Sequence, residues 1–193
     1  MILSAFRRNS QDRNIAALYG AIVAQARSAA FYVDYGVADT VQGRFELIVL
    51  HLVLFLRRLE GDNEPARGRG ATFKPAQRLG QALFDLFCRD LDANLREMGV
   101  GDLAVPKRMR RFGEAFYGRQ AAYRAALVAA DERELEMALA RNIFEVAGVD
   151  ERAARLARYT RATVQRLDVE AEAAVVAGKI AFPNPAAFAS CRA

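Results

Sequence analysis

Cysteine and histidine are scarce in this 193-residue chain: Cys88 and Cys191 stand far apart, and His51 is alone. No Cys/His zinc tetrad and no disulfide framework can be assembled from them. A reduced, cytoplasmic compartment is therefore the default expectation. Long apolar runs are missing too. The longest, Phe45 to Leu56, is interrupted by Glu46 and His51 and closed by Arg57 and Arg58, whereas about 20 apolar residues are needed to span a bilayer. The opening Met-Ile-Leu-Ser-Ala-Phe-Arg-Arg places its charges after a very short apolar stretch, the reverse of a secretory signal, so no export signal is expected. Alternating β-branched and polar residues between turn signals do not occur. There is no Gly-rich phosphate loop, no Gly-x-Ser-x-Gly and no Cys/His pair at a catalytic spacing. No catalytic residue, cofactor ligand or metal ligand is assigned, and an enzyme is not expected.

What the chain does have is apolar mass: 53% of its residues are hydrophobic, enough for one domain of this length to bury a sizeable core. The net charge of +5 suits an anionic partner but falls short of the density of a protein that coats nucleic acid, and no DNA partner is expected. Apolar positions recur with helical period almost throughout. The expected fold is all-α, a single-domain helical bundle of about six to seven helices over residues 1–193.

Individual helices can be placed. Ser10 is a suitable N-cap for a helix ending near Arg27, with Ile15, Leu18, Ile22 and Ala26 on one face. Asp39-Thr40 caps the next long helix, to about Leu59, which is apolar almost all round from Leu47 to Leu56 and so should be central. Residues 61–74 have the Gly-rich, charged composition of a connector. Pro75 opens a helix to about Met98 with Leu79, Leu83, Leu86, Phe87 and Leu91 as its buried stripe, stopped by Gly99-Val100-Gly101. Pro106 opens another, carrying Met109, Phe112, Phe116, Tyr123 and Leu127. Asp131 and Glu134 offer a capping box for a helix with Leu135, Ala138, Leu139 and Ile143, which Gly148 stops. A last amphipathic helix is expected from about Asp150 to Val176, then an irregular tail over 178–193.

Four features bear on function. Lys107, Arg108, Arg110 and Arg111 crowd the start of the helix that Pro106 opens, where cations oppose the helix dipole at roughly 0.3 to 1 kcal/mol each. Two readings are open: a solvated face neutralised by Asp102, or a contact with phosphate or an acidic surface, which 25 Arg against 3 Lys would suit. Asp85, Arg89, Asp92 and Arg96 alternate in sign along one helix face, as an exposed ladder of ion pairs or as a partly buried network ordering the Gly99 to Pro106 loop. His51, alone in an apolar helix, reads as a structural group bonded to a neighbouring carbonyl or carboxylate. Gly113 and Gly118 sit mid-helix, where each costs about 1 kcal/mol relative to Ala; close helix packing inside the domain is the expected reason.

Several stretches together resemble one family. They are Leu18-Tyr19-Gly20-Ala21-Ile22-Val23-Ala24-Gln25-Ala26-Arg27, then Asp39-Thr40-Val41-Gln42-Gly43-Arg44-Phe45-Glu46-Leu47 with the following Leu-His-Leu and Arg57-Arg58-Leu59. Most specific is Gln81-Ala82-Leu83-Phe84-Asp85-Leu86-Phe87-Cys88-Arg89-Asp90-Leu91-Asp92, continuing through Leu95 to Asp102 and Val105-Pro106-Lys107 to Phe116-Tyr117-Gly118-Arg119. Over roughly residues 18–145 these are similar to the ubiquinol-cytochrome c chaperones, assembly factors for cytochrome b of respiratory complex III. The resemblance implies a non-enzymatic chaperone that binds newly made cytochrome b as its client and promotes haem loading and incorporation into complex III. For mitochondrial relatives it implies an association with the ribosome near the tunnel exit and with a small partner subunit. With no targeting extension in view, the chain looks like a bacterial form in the cytoplasm, peripheral to the inner membrane, where an anionic membrane surface is a further candidate partner. Candidate partner-binding residues are Lys107, Arg108, Arg110, Arg111 and Arg119 with the aromatic Phe84, Phe116 and Tyr117. The alternative is a cytoplasmic helical interaction or regulatory module with an anionic partner. A helical isoprenoid-type enzyme using Asp85 to Asp92 fails for want of a clustered Asp-Asp-x-x-Asp.

Overall fold

The computed structural model describes residues 2–60, 75–148 and 150–189, with side chains from Ser10 onward. The 61–74 connector and Cys191 lie outside the described residues. Helices account for nearly all the regular structure: α1 (Ile2–Ala26), α2 (Ala29–Val33), α3 (Val41–Glu60), α4 (Pro75–Glu97), α5 (Val105–Val128), α6 (Arg133–Ile143), α7 (Glu151–Asp168), α8 (Glu172–Val176) and α9 (Ala186–Ala189). Six of these exceed two turns, and no strand occurs among the described residues. The architecture is all-α.

Helix α3 lies at the centre, touching α1, α4, α5, α6 and α7. Its run from Leu47 to Leu56 buries residues on every side, with only Ile48 half-buried. A helix with no polar face must be surrounded to satisfy the hydrophobic effect, and five neighbours do so here. The start of α3 is capped by Thr40, whose hydroxyl accepts the N–H of Gly43 at 3.1 Å. Each neighbour contributes the stripe its period prescribes: Ile15, Leu18, Ile22 and Ala26 from α1, Leu79, Leu83 and Phe87 from α4, Phe116 and Tyr123 from α5, Leu135 and Leu139 from α6. Asp131 accepts the N–H of Arg133 at 2.9 Å ahead of α6.

Two boundaries depart from expectation. Ser10 is no N-cap; α1 continues upstream to Ile2, since nothing between Ile2 and Ser10 is a Gly or Pro that would stop it. The last long helix does not run to Val176. It ends at Asp168, and α8 starts separately at Glu172, because the Arg58 guanidinium donates to the carbonyls of Leu167 and Glu170, both at 2.9 Å, and Arg57 pairs with Asp168 at 3.0 Å. An arginine from α3 thus takes carbonyls that an uninterrupted helix would have used.

The tail, expected to be irregular throughout, carries the short helix α9 at Ala186–Ala189, and it is not loose. After Gly178, whose φ of 79° sets its turn and whose Cα lies too close to the Asn14 backbone for a side chain, residues 179–185 form a strap across the bundle. Pro183 and Pro185 supply carbonyls to Gln25 (3.0 Å) and Tyr35 (2.7 Å), and Phe182 and Phe188 pack edge-on to His51 and Tyr159.

Candidate interaction surface

The basic residues are brought together as a surface. Gly99, at φ 78°, reverses the chain after α4, and the N–H of Val100 closes on the carbonyl of Leu95 at 3.0 Å. Pro106 then sits in the first turn of α5, whose cap position, Ala104, offers no side-chain acceptor. Lys107, Arg108, Arg110 and Arg111 are all exposed. Asp102, the candidate neutraliser, is bonded instead to Arg96 across the loop. Arg110 has Glu114 at 3.9 Å, with both side chains largely in solvent, where such a pair contributes little. The cations therefore stay at the positive end of the α5 dipole with little local compensation.

The charged face of α4 is an exposed ladder only in part. Asp92 pairs with Arg96 at 2.7 Å, and Arg96 also holds Asp102. Asp85 does not pair with Arg89; its carboxylate accepts from Gln81 at 2.7 Å, an i,i+4 donor one turn upstream that competes on equal geometric terms. Both Asp85 and Arg89 are exposed, so the four charges do not form one partly buried network.

Of the aromatic set, Phe116 is buried, with its ring 4.8 Å from that of Phe84 and 6.1 Å from that of Phe87. As a core residue it has no surface to offer a client, which corrects the expectation for it. Phe84 is half-buried beside it, and Tyr117 is exposed with its ring 5.9 Å from Phe84. The expected role of Gly113 and Gly118 also needs correction: a Cβ at either would meet nothing within 4 Å, so neither admits a close helix neighbour within the described residues.

Arg119 belongs elsewhere as well. Two residues beyond Tyr117, a rotation of about 200° around the helix axis, it turns from the solvent face toward α3 and forms a two-bonded ion pair with Glu46, which Gln42 joins at 2.6 Å. The Glu46 side chain is 2% exposed and that of Arg119 19%. Burial pushes the Glu46 carboxyl up, while Arg119 and Gln42 pull it back toward the charged form. Sequence reasoning missed Glu46 as a functional candidate; its signal was the break it makes in the apolar run of α3. The carboxylate lines a cleft of about 320 Å³ between the α2–α3 connector and the end of α6, walled by Gly36, Gln42, Phe144, Glu145 and Arg152. Glu145 there adopts a positive φ of 55°, which is uncommon for a residue with a side chain.

His51 sits in the core, fully buried. Its Nδ1 lies 2.7 Å from the Leu47 carbonyl and its Nε2 2.7 Å from the Tyr159 hydroxyl. A carbonyl can only accept, so Nδ1 carries the proton and Tyr159 donates to Nε2. The Tyr159 oxygen in turn accepts from Gln25 at 2.9 Å. Burial drives the imidazole pKa down to about 4, which keeps the ring neutral and this chain of donors fixed in direction.

A family model described as Ubiquinol-cytochrome C chaperone matches residues 33–182. The chain belongs to this family. Ubiquinol-cytochrome c chaperone character thus runs from the end of α2 through α8 into the strap, taking in Glu46, His51, the basic start of α5 and Tyr159. The crystal structure of the Cbp3 homolog from Brucella abortus is similar to this chaperone with a TM-score of 0.79 and 37% sequence identity, over 96% of this chain and 98% of that one. No curated protein sequence matches.

Proposed function

We propose that this chain is a non-enzymatic assembly chaperone that binds newly made cytochrome b, promotes its haem loading and passes it into respiratory complex III. The observation that carries this reading is likeness from end to end: 37% identity with the Brucella abortus Cbp3 homolog over 96% of the chain, within a family of ubiquinol-cytochrome c chaperones. The geometry supports it in a general way, since the exposed cations and Tyr117 form a surface suited to binding. On this reading the protein works in the cytoplasm beside the inner membrane, where the ribosome and a small partner subunit are further candidate contacts. The exposed Lys107, Arg108, Arg110 and Arg111 are proposed as its electrostatic contact with an anionic partner. The same cations favour a second reading, a helical interaction module with no link to respiration.

Deleting the gene separates the two. Loss of the cytochrome b spectrum and of quinol-cytochrome c reductase activity, with other respiratory complexes spared, is the expected result. Normal levels of both would leave only the interaction module standing.

A further inference from the structure

The loop between α4 and α5 is tied down at both ends and yet turns two apolar side chains outward. Leu95 and Val105, its flanking residues, are buried. Between them Val100 closes back on Leu95, Ala104 donates to the Gly101 carbonyl at 2.8 Å, and Arg96 reaches across to Asp102. In this fixed frame Leu103 is 99% exposed and Met98 57%. A lone exposed leucine is ordinary; what distinguishes Leu103 is its company. Lys107, Arg108, Arg110 and Arg111 follow within eight residues, every one exposed, while the Asp102 carboxylate is already engaged.

We propose that this loop and the first turns of α5 form a docking site for an anionic phospholipid bilayer. Leu103 and Met98 enter the interfacial layer, and the four cations meet the lipid phosphates around them. Apolar area and basic charge add in such binding. Nucleic acid fits less well, since its phosphates would satisfy the cations but leave a projecting aliphatic side chain in water, and base stacking calls for aromatic groups. No helix among the described residues is long and apolar enough to cross a membrane, so attachment through this surface is peripheral. The inference deepens the chaperone reading, whose client is a membrane protein, by naming the partner of the basic surface.

The sequence contains no tryptophan, so Leu103→Trp installs a single fluorescent reporter at the point of insertion. Adding phosphatidylcholine vesicles that contain phosphatidylglycerol should shift its emission to the blue, and pure phosphatidylcholine vesicles or RNA should not. In co-sedimentation of the full chain with the anionic vesicles, Leu103→Asp should weaken partitioning by about tenfold, and joint replacement of Lys107, Arg108, Arg110 and Arg111 by Gln by about a hundredfold. Circular dichroism should be unchanged for all three, since every altered side chain is exposed. An emission maximum that stays put with anionic vesicles, or partitioning indifferent to these substitutions, would overturn the proposal. Binding to RNA or ribosomes through the same cations, without vesicle binding, would overturn it in favour of nucleic acid. No client is present in these assays, so their failure leaves the chaperone reading intact, and a normal complex III in the deletion strain leaves the lipid result intact.

Discussion

His51 shows how one side chain can be read at two depths. A solitary imidazole in an apolar helix calls for a local carbonyl partner, and Leu47, one turn back, provides it. Tyr159, 108 residues away, has no such local signature. The burial of this ring has a measurable consequence. In the unfolded chain a histidine titrates near 6.5, and in the folded protein near 4. Between those values the unfolded state binds the extra proton, so stability rises with pH from 4 to about 6.5 and levels off above. The loss on acidification through this window should be about 3 kcal/mol from His51 alone. His51→Gln, whose amide can both donate to Leu47 and accept from Tyr159, should keep the fold and remove that component. Urea denaturation at pH 4 and pH 7 on both proteins checks it, with the difference between their pH slopes as the readout.

At the scale of elements, two ion pairs that look alike in sequence differ in consequence. Arg96 and Arg119 are both arginines on helices with acidic neighbours in reach, but Arg96 holds Asp92 in solvent while Arg119 holds a buried Glu46. Removing one partner of an exposed pair should cost no more than about 1 kcal/mol. Removing Arg119 leaves a carboxylate stranded between α3 and α5, and should cost about 3 to 5 kcal/mol. Chemical denaturation of Asp92→Ala and Arg119→Ala therefore should give losses differing severalfold. Equal losses would mean that Glu46 is solvated when its partner leaves. The i,i+4 spacing was legible for Asp92 and Arg96 because both lie on one helix; the Glu46 pair spans 73 residues and depends on how α3 and α5 dock.

For the molecule as a whole, the strap decides whether the core is sealed. Phe182 and Phe188 cover His51 and Tyr159, while Gln25 and Tyr35 donate to the carbonyls of Pro183 and Pro185. A chain truncated after Ala177 would uncover these rings and leave the Tyr35 hydroxyl without its acceptor. Two half-buried phenylalanines and two hydrogen bonds amount to about 3 to 5 kcal/mol, or roughly 10 °C for a chain of this size. Differential scanning calorimetry should show that drop with helicity largely kept. An unchanged midpoint would show that the strap adds nothing to the core.

The helical class, the stripe residues of α1, α4 and α6 and the central place of α3 all follow from period and composition, because a buried face must recur with the helical repeat whatever the neighbour is. The basic crowding after Pro106 is equally local and so was visible in the chain. Three-dimensional docking alone decided the rest. Arg58 ends α7 from another helix, Tyr159 closes on His51 from 108 residues away, and Arg119 leaves the basic surface for Glu46. In each case the deciding partner is remote in sequence, and the energy that selects it, burial of rings and charges, exists only once the helices have packed.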